Sequence, residues 1–272
     1  MPELPEVETV CRGLRPLVQN RMIKEVIITR PSIIEGKEED FRQIMVGKTI
    51  KGIARHGKYI IFILNEGYLL SHLRMEGKYR VTKKDEPLEK HTHVRFLLDN
   101  GEELRYQDVR AFGKMCYLPN KEALITALSH VGKEPWDKNE EEFYQELKKY
   151  RSAIKSVLLN QKVISGLGNI YVDEVLFKAQ VHPETKANEI TKEESASILK
   201  ASQEILQAAI EAGGSTIHTY KNAEGKSGAY QKQLQVYGKK GEPCPRCQTP
   251  IEKIKVGGRG THFCPNCQPI KS

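Results

Sequence analysis

Met1-Pro2-Glu3-Leu4-Pro5-Glu6 opens a run in which Val7, Val10, Cys11, Leu14 and Leu17 recur at spacings of three and four, so residues 5–18 are predicted to form an amphipathic helix. Proline suits a first helical turn, and carboxylates at its mouth suit the partial positive charge there. Removal of Met1, which a small second residue permits, leaves the Pro2 secondary amine followed directly by the Glu3 carboxylate. An α-amino group titrates near about 7.7–8.0, so a usable share is unprotonated and nucleophilic at neutral pH. A helix N-terminus beside it lowers that value further. Chain termini are ordinarily loose. A helix docked on a core would instead hold Pro2 and Glu3 in place as a covalent catalyst.

Beyond this helix come short β-rich runs at residues 23–29, 49–54, 59–64, 68–73, 78–82, 94–98, 103–108 and 113–118. Asp99-Asn100-Gly101 supplies hairpin chemistry between two of them. Many short strands with turns between them imply an antiparallel sandwich or barrel. Gly132, Pro135 and a polar stretch interrupt near residues 131–138, and helix formers follow. Asn139 with Glu142 starts a helix to about Tyr150, residues 151–161 form another, and Thr191 with Glu194 opens a long one that ends at Gly213-Gly214. The expected class is α+β, and 272 residues are enough for two domains.

Charged residues at 29% and hydrophobic residues at 39% are ordinary for a soluble protein. Apolar runs such as residues 59–64 are too short to span a bilayer, and Glu3, Glu6 and Glu8 exclude a signal peptide. A cytoplasmic protein without a membrane partner is expected. The net charge of +8 is concentrated: residues 214–272 hold eight Lys and two Arg against three Glu. A polyanion is therefore expected to meet that end. The same end holds Cys244-Pro245-Arg246-Cys247 and Cys264-Pro265-Asn266-Cys267, two C-x-x-C pairs sixteen residues apart. Four thiolates at this spacing fit one structural zinc ion on a β-hairpin better than disulfides or an iron–sulfur cluster. Between the pairs, residues 253–256 and 261–263 read as strands and Gly257-Gly258-Arg259-Gly260 as their tip, which presents Arg259. Cys11, on the apolar helix face, and Cys116, in a strand, read as structural.

Ser165-Gly166-Leu167-Gly168-Asn169-Ile170-Tyr171 lies between helical segments, where Asn169 can cap the next helix and its free amides favour a phosphate. With this turn the chain holds four collinear motifs: the opening Pro2-Glu3-Leu4-Pro5-Glu6-Val7-Glu8, the run His72-Leu73-Arg74-Met75-Glu76-Gly77, the turn Gly168-Asn169-Ile170-Tyr171, and Gly258-Arg259-Gly260-Thr261-His262-Phe263-Cys264. Together they closely resemble the bacterial formamidopyrimidine-DNA glycosylases along essentially the whole chain. The resemblance implies an N-terminal catalytic β-sandwich with flanking helices at residues 1–134. It further implies a helical helix-two-turns-helix DNA-binding domain at 135–238 and a zinc-finger β-hairpin at 239–272.

The implied activity is bifunctional: excision of oxidised purines, chiefly 8-oxoguanine and formamidopyrimidines, from damaged double-stranded DNA, then strand cleavage at the abasic site. By resemblance Pro2 is the nucleophile, Glu3 the general acid, and Lys58 and Arg259 complete the catalytic set. His72, His91, Arg110, Arg151, Lys155 and Asn169 match DNA-contacting positions, and Met75, Arg110 and Phe112 match side chains that fill the gap left by an extruded nucleotide. Ala111 departs from the basic residue often found between the last two. Glu6 and Glu76 belong to lesion recognition, as do Thr216 and Tyr220 in a glycine-rich stretch, residues 216–230, that matches the family's mobile loop. A monomer in the bacterial cytoplasm, associated with the nucleoid, is implied. The sister family, endonuclease VIII, prefers oxidised pyrimidines and usually has glycine where Leu4 stands, and a non-catalytic zinc-ribbon protein would leave Pro2, Glu3 and Lys58 without a role.

Overall fold

The computed structural model describes residues 1–215 and 228–271. They fall into two compact units, residues 1–129 with 212–229 and residues 130–211 with 230–272. No helix among the described residues is long and apolar enough to cross a membrane.

The first unit runs α1 (Leu4–Val18), β1 (Ile23–Ile28), α2 (Glu38–Met45), β2 (Ile50–His56), β3 (Tyr59–Leu64), β4 (Tyr68–His72), β5 (Lys78–Lys83), β6 (Thr92–Leu98), β7 (Glu102–Gln107), β8 (Lys114–Leu118) and α3 (Lys121–Leu128). The strands make two antiparallel four-stranded sheets, β1-β6-β7-β5 and β2-β3-β4-β8, which is the sandwich expected. One core fills the space between them: Val26, Phe96, Leu104 and Tyr106 from one sheet meet Ile53, Ile60, Phe62 and Leu69 from the other. α1 adds Val7, Val10, Cys11, Leu14 and Val18 to the same core. Each such side chain contributes roughly 1.5–3 kcal/mol of burial, so α1 is anchored along its length. Burial pushes the Cys11 thiol up to about 12, as an inert packing residue requires. α2 and α3 escape the periodicity reading because α2 buries only Phe41 and Met45 and α3 buries nothing.

The second unit runs α4 (Glu140–Leu147), α5 (Ile154–Leu159), α6 (Asn169–Ala179), α7 (Lys192–Glu211), β9 (Glu252–Val256) and β10 (Arg259–Phe263). α7 starts with the expected capping box: Thr191 N–H donates to Glu194 Oε2 at 2.8 Å and Glu194 N–H to Thr191 Oγ1 at 3.1 Å. α6 is buried almost all round, with Tyr171, Val172, Val175 and Leu176 fully inaccessible. Phe177 at its end packs against Cys244, Ile251 and Cys264 of the finger. The β9–β10 hairpin is tighter than its sequence suggests: Gly257 and Gly258 alone form the turn, both at positive φ, and Arg259 pairs with Val256 as the first residue of β10.

Candidate functional site

The N-terminus is not a loose end. Pro2 is buried, and Glu3, the N-cap of α1, is 2% exposed. Glu3 and Glu6 close a reciprocal capping box in which Glu3 N–H donates to Glu6 Oε2 at 2.9 Å. The other oxygen of Glu6 accepts from Ser215 N–H at 2.8 Å and Ser215 Oγ at 3.2 Å. Gly214 makes this possible: its φ is +79°, and a Cβ there would stand 2.8 Å from Glu6 Oε1. One carboxylate thus joins the start of α1 to the segment that follows α7.

Lys58 occupies the two-residue turn between β2 and β3, after Gly57 at φ +55°, and is 4% exposed. Glu8 of α1 accepts from Arg55 Nε at 2.9 Å, and Arg55 Nη1 donates to the Gly57 carbonyl at 3.1 Å, so the helix fixes the turn that carries Lys58. Burial opposes the Glu8 charge, but hydrogen bonds from Arg55 and Arg12 hold its carboxyl below the ordinary value. The N-terminal amine, here that of Met1, is held below 8.0 chiefly by burial; Lys58 pushes the same way, and Glu3, Glu6 and Glu76 oppose it. The structure therefore gathers Pro2, Glu3, Glu6, Lys58 and Glu76 around one amine.

Met75, Arg110 and Phe112 stand on two loops of this unit, and all three are exposed. Apolar Met75 and Phe112 face solvent, 36% and 51% exposed, so neither is a core residue. The Arg110 guanidinium lies over the Phe112 ring at 4.7 Å. Sequence reasoning missed what holds these loops. Asp108, 1% exposed, accepts from Arg110 N–H at 3.1 Å through Oδ1 and from Gly113 N–H at 2.8 Å and Tyr106 Oη at 3.1 Å through Oδ2. The Tyr106 hydroxyl lies where a Cβ on Gly77 or Gly113 would come within 2.4 or 1.7 Å of it, so both loops close onto one phenol. His91, exposed at φ +64°, is pinned by a hydrogen bond from Asp108 N–H to its carbonyl at 3.0 Å. His72, half-buried, accepts from Arg74 N–H at 3.0 Å through Nδ1 and packs edge-on to Tyr59.

In the second unit the α5–α6 connection is organised by Gln161, another residue the sequence did not single out. Its amide donates to the Leu159 and Leu167 carbonyls at 3.0 and 2.9 Å and accepts from Gly166 N–H at 3.0 Å. Gly168, not Asn169, is the N-cap of α6. Asn169 is instead the first helical residue and donates through Nδ2 to the Gly260 carbonyl at 3.1 Å. Arg259 and Arg151 are exposed. Lys155 is not: it is 0% exposed and paired with Asp173 at 2.7 Å, a burial that its place in a basic pattern did not foretell. Thr216 and Tyr220 lie outside the described residues.

The four finger cysteines converge, with all Sγ atoms within 4.8 Å of one another. The Cys247–Cys264 and Cys244–Cys267 separations of 3.5 and 3.9 Å bracket the edge of about 3.8 Å that tetrahedral Zn–S bonds of about 2.3 Å require. Arg246 N–H and Cys267 N–H each donate to the first sulfur of their pair at 3.4 Å, so both knuckles stabilise thiolate in the same way. Burial and the neighbouring thiols push Cys267 up to about 12, while hydrogen bonds with Thr249 pull Cys247 down to about 6; a dication would favour thiolate at all four. The residues fit zinc.

Residues 1–115 match the formamidopyrimidine-DNA glycosylase N-terminal domain, 131–221 the formamidopyrimidine-DNA glycosylase H2TH domain, and 241–270 the zinc finger found in FPG and IleRS. The chain is similar to the formamidopyrimidine-DNA glycosylase of Enterococcus faecalis, 50% identical with 100% of this chain and 98% of the relative covered. It is 48% identical to that of Bacillus cereus, with 99% of each covered. Among solved structures it is similar to Lactococcus lactis FPG bound to FAPY-dG containing DNA and to the same protein bound to abasic-site DNA. Each has a TM-score of 0.92 and 44% identity, covering 98% of this chain and 100% of that one. A sandwich, H2TH helices and a four-cysteine zinc finger in this order define a base-excision DNA glycosylase. The chain belongs to the formamidopyrimidine-DNA glycosylase family.

Proposed function

We propose that this chain, once Met1 is removed, excises oxidised purines from duplex DNA and then cleaves the strand, both through an imine on Pro2. The observation that carries this is the placement of Pro2, buried at the mouth of α1 with the buried Glu3 and Lys58 beside the terminus. The Pro2 nitrogen attacks C1′ of the damaged nucleotide and gives up its proton, while the C1′–N bond breaks and the base leaves with that bond's electron pair and takes up a proton. Glu3 gives its proton to the ring oxygen as the sugar opens, leaving a C1′ iminium. That iminium acidifies the C2′ proton, so its removal expels the 3′ phosphate; loss of the C4′ proton then expels the 5′ phosphate. Hydrolysis of the imine restores the amine. Lys58 donates protons and contacts phosphate near the lesion, and Arg259 assists the second elimination.

The remaining roles follow the same reading. Met75, Arg110 and Phe112 fill the gap left by the extruded nucleotide, with Arg110 bonding the orphaned base. His72, His91, Arg151 and Asn169 contact DNA, while Glu6, Glu76, Thr216 and Tyr220 serve lesion recognition. The functional domains are 1–134, 135–238 and 239–272, and the enzyme acts as a cytoplasmic monomer on nucleoid DNA. Borohydride trapping on a duplex containing 8-oxoguanine, followed by peptide mapping, is expected to yield an adduct at the Pro2 nitrogen. An active, Met1-processed sample that yields none would remove the mechanism. Faster excision of thymine glycol than of 8-oxoguanine opposite cytosine would overturn the substrate.

A further inference from the structure

Two elements proposed to grip DNA, the turn at Asn169 and the finger strand that starts at Arg259, meet at one backbone atom. The Gly260 carbonyl accepts from Asn169 Nδ2 and from Lys155 Nζ, both at 3.1 Å. Lys155 also donates to Asp173 Oδ1 at 2.7 Å, and Asp173 Oδ2 accepts the His262 backbone N–H at 2.8 Å. Asp173 on α6 therefore holds β10 twice, directly at His262 and through Lys155 at Gly260. At the other end of the hairpin, a Cβ on Gly257 would stand 2.5 Å from Ser156 Oγ, so the turn abuts α5 and has little room to shift.

We infer that Lys155 and Asp173 form a positioning pair that seats Gly260, and with it Arg259 and Asn169, for phosphate binding, and that Lys155 itself does not touch DNA. Both side chains are 0% exposed. The carboxylate 2.7 Å away cancels the ammonium charge, so Lys155 adds almost no long-range attraction for a polyanion. Stability alone does not explain the pair, since replacing buried ion pairs by apolar groups is often neutral or stabilising. A lysine here offers what an apolar residue cannot, a donor to the Gly260 carbonyl.

The assignment rests on the proposed phosphate-binding role of Asn169 and Arg259, and the test separates the two. Full-length, zinc-loaded protein is titrated with a duplex bearing a tetrahydrofuran abasic analogue at several salt concentrations, with zinc content and melting temperature measured in parallel. Asp173→Asn and the charge-free pair Lys155→Met/Asp173→Asn are each expected to bind about tenfold more weakly, with zinc retained. Their salt slope should fall by about one, the loss of the Arg259–phosphate contact, since neutral Asn169 releases no counterion. Adding Asn169→Ala should weaken either by no more than about twofold, because the Asn169 contact is lost with the same seat. A direct Lys155–phosphate contact predicts the opposite: Asp173→Asn frees the ammonium and binds as tightly as the unsubstituted protein or more tightly, and the Asn169→Ala loss multiplies. Either result overturns the positioning role, as does failure of both variants to hold zinc. If Asn169→Ala and Arg259→Ala themselves bind normally, the phosphate-binding reading falls and this inference falls with it.

Discussion

The two units build their reactive corners in opposite ways. In the first, a helix end organises the site: Glu3 and Glu6 cap α1, Glu8 reaches Arg55 beside the Lys58 turn, and Glu6 also holds Ser215 from the segment after α7. In the second, Lys155 finds its partners 18 and 105 residues away, and the finger is brought to a fixed shape by four sulfurs and a buried ion pair. The proposed covalent step asks for one amine and one acid held side by side, which the capped start of α1 can supply. Gripping a backbone needs groups from distant parts of the chain held at fixed spacing. In the role proposed for them, the four-cysteine centre and the carbonyl shared by Lys155 and Asn169 do that.

This contrast can be broken in stages. Chelating the zinc should abolish duplex binding while the first unit keeps its amide-exchange protection; undiminished binding by demonstrably zinc-free protein would show that the finger needs no metal. Glu3→Gln keeps the capping geometry but removes the acid, and should lower base excision by at least about a hundredfold, with zinc content and melting unchanged. Gly113→Ala places a methyl against the Tyr106 hydroxyl, and should cost about 1–3 kcal/mol by overpacking in a denaturant titration. Tyr106→Phe in the same chain should recover part of it.

Smaller effects test the electrostatics of the first corner. In the chain that keeps Met1 the terminal amine has a depressed pKa, so an NMR titration of that form should place it below 8.0. Lys58 helps lower that pKa; hence Lys58→Met should move the titration upward. A titration that moves downward would contradict the charge assignment. Arg12→Ala loses only an exposed i,i+4 pair with Glu8, and should change stability by no more than about 0.5 kcal/mol.

The same contrast explains what could be read from the chain in advance. α1, the Thr191–Glu194 box and the cysteine knuckles are written in spacings of a few residues, and each stands where its pattern puts it. Asp108 and Tyr106 could not be found that way. Their importance comes from Gly77, His91 and Gly113 closing around them, and in sequence they are one acidic residue and one aromatic in a strand. Lys155 carries the same lesson, because a basic residue beside exposed Arg151 gives no sign that Asp173 will bury it. The glycines at 77 and 113 were the available signal, each marking a backbone that something approaches too closely for a side chain.

The buried start of α1 also sets a timetable for the protein's synthesis. Met1 is 48% exposed, but Pro2 is covered and Glu3 is 2% exposed. An aminopeptidase has to grasp the residues on both sides of the bond it cuts, and in the folded chain only one side is within reach. On the proposed mechanism Met1 therefore has to leave before α1 docks. Protein refolded with Met1 still attached should remain inert when an aminopeptidase is added afterwards and become active when the same enzyme is present during refolding.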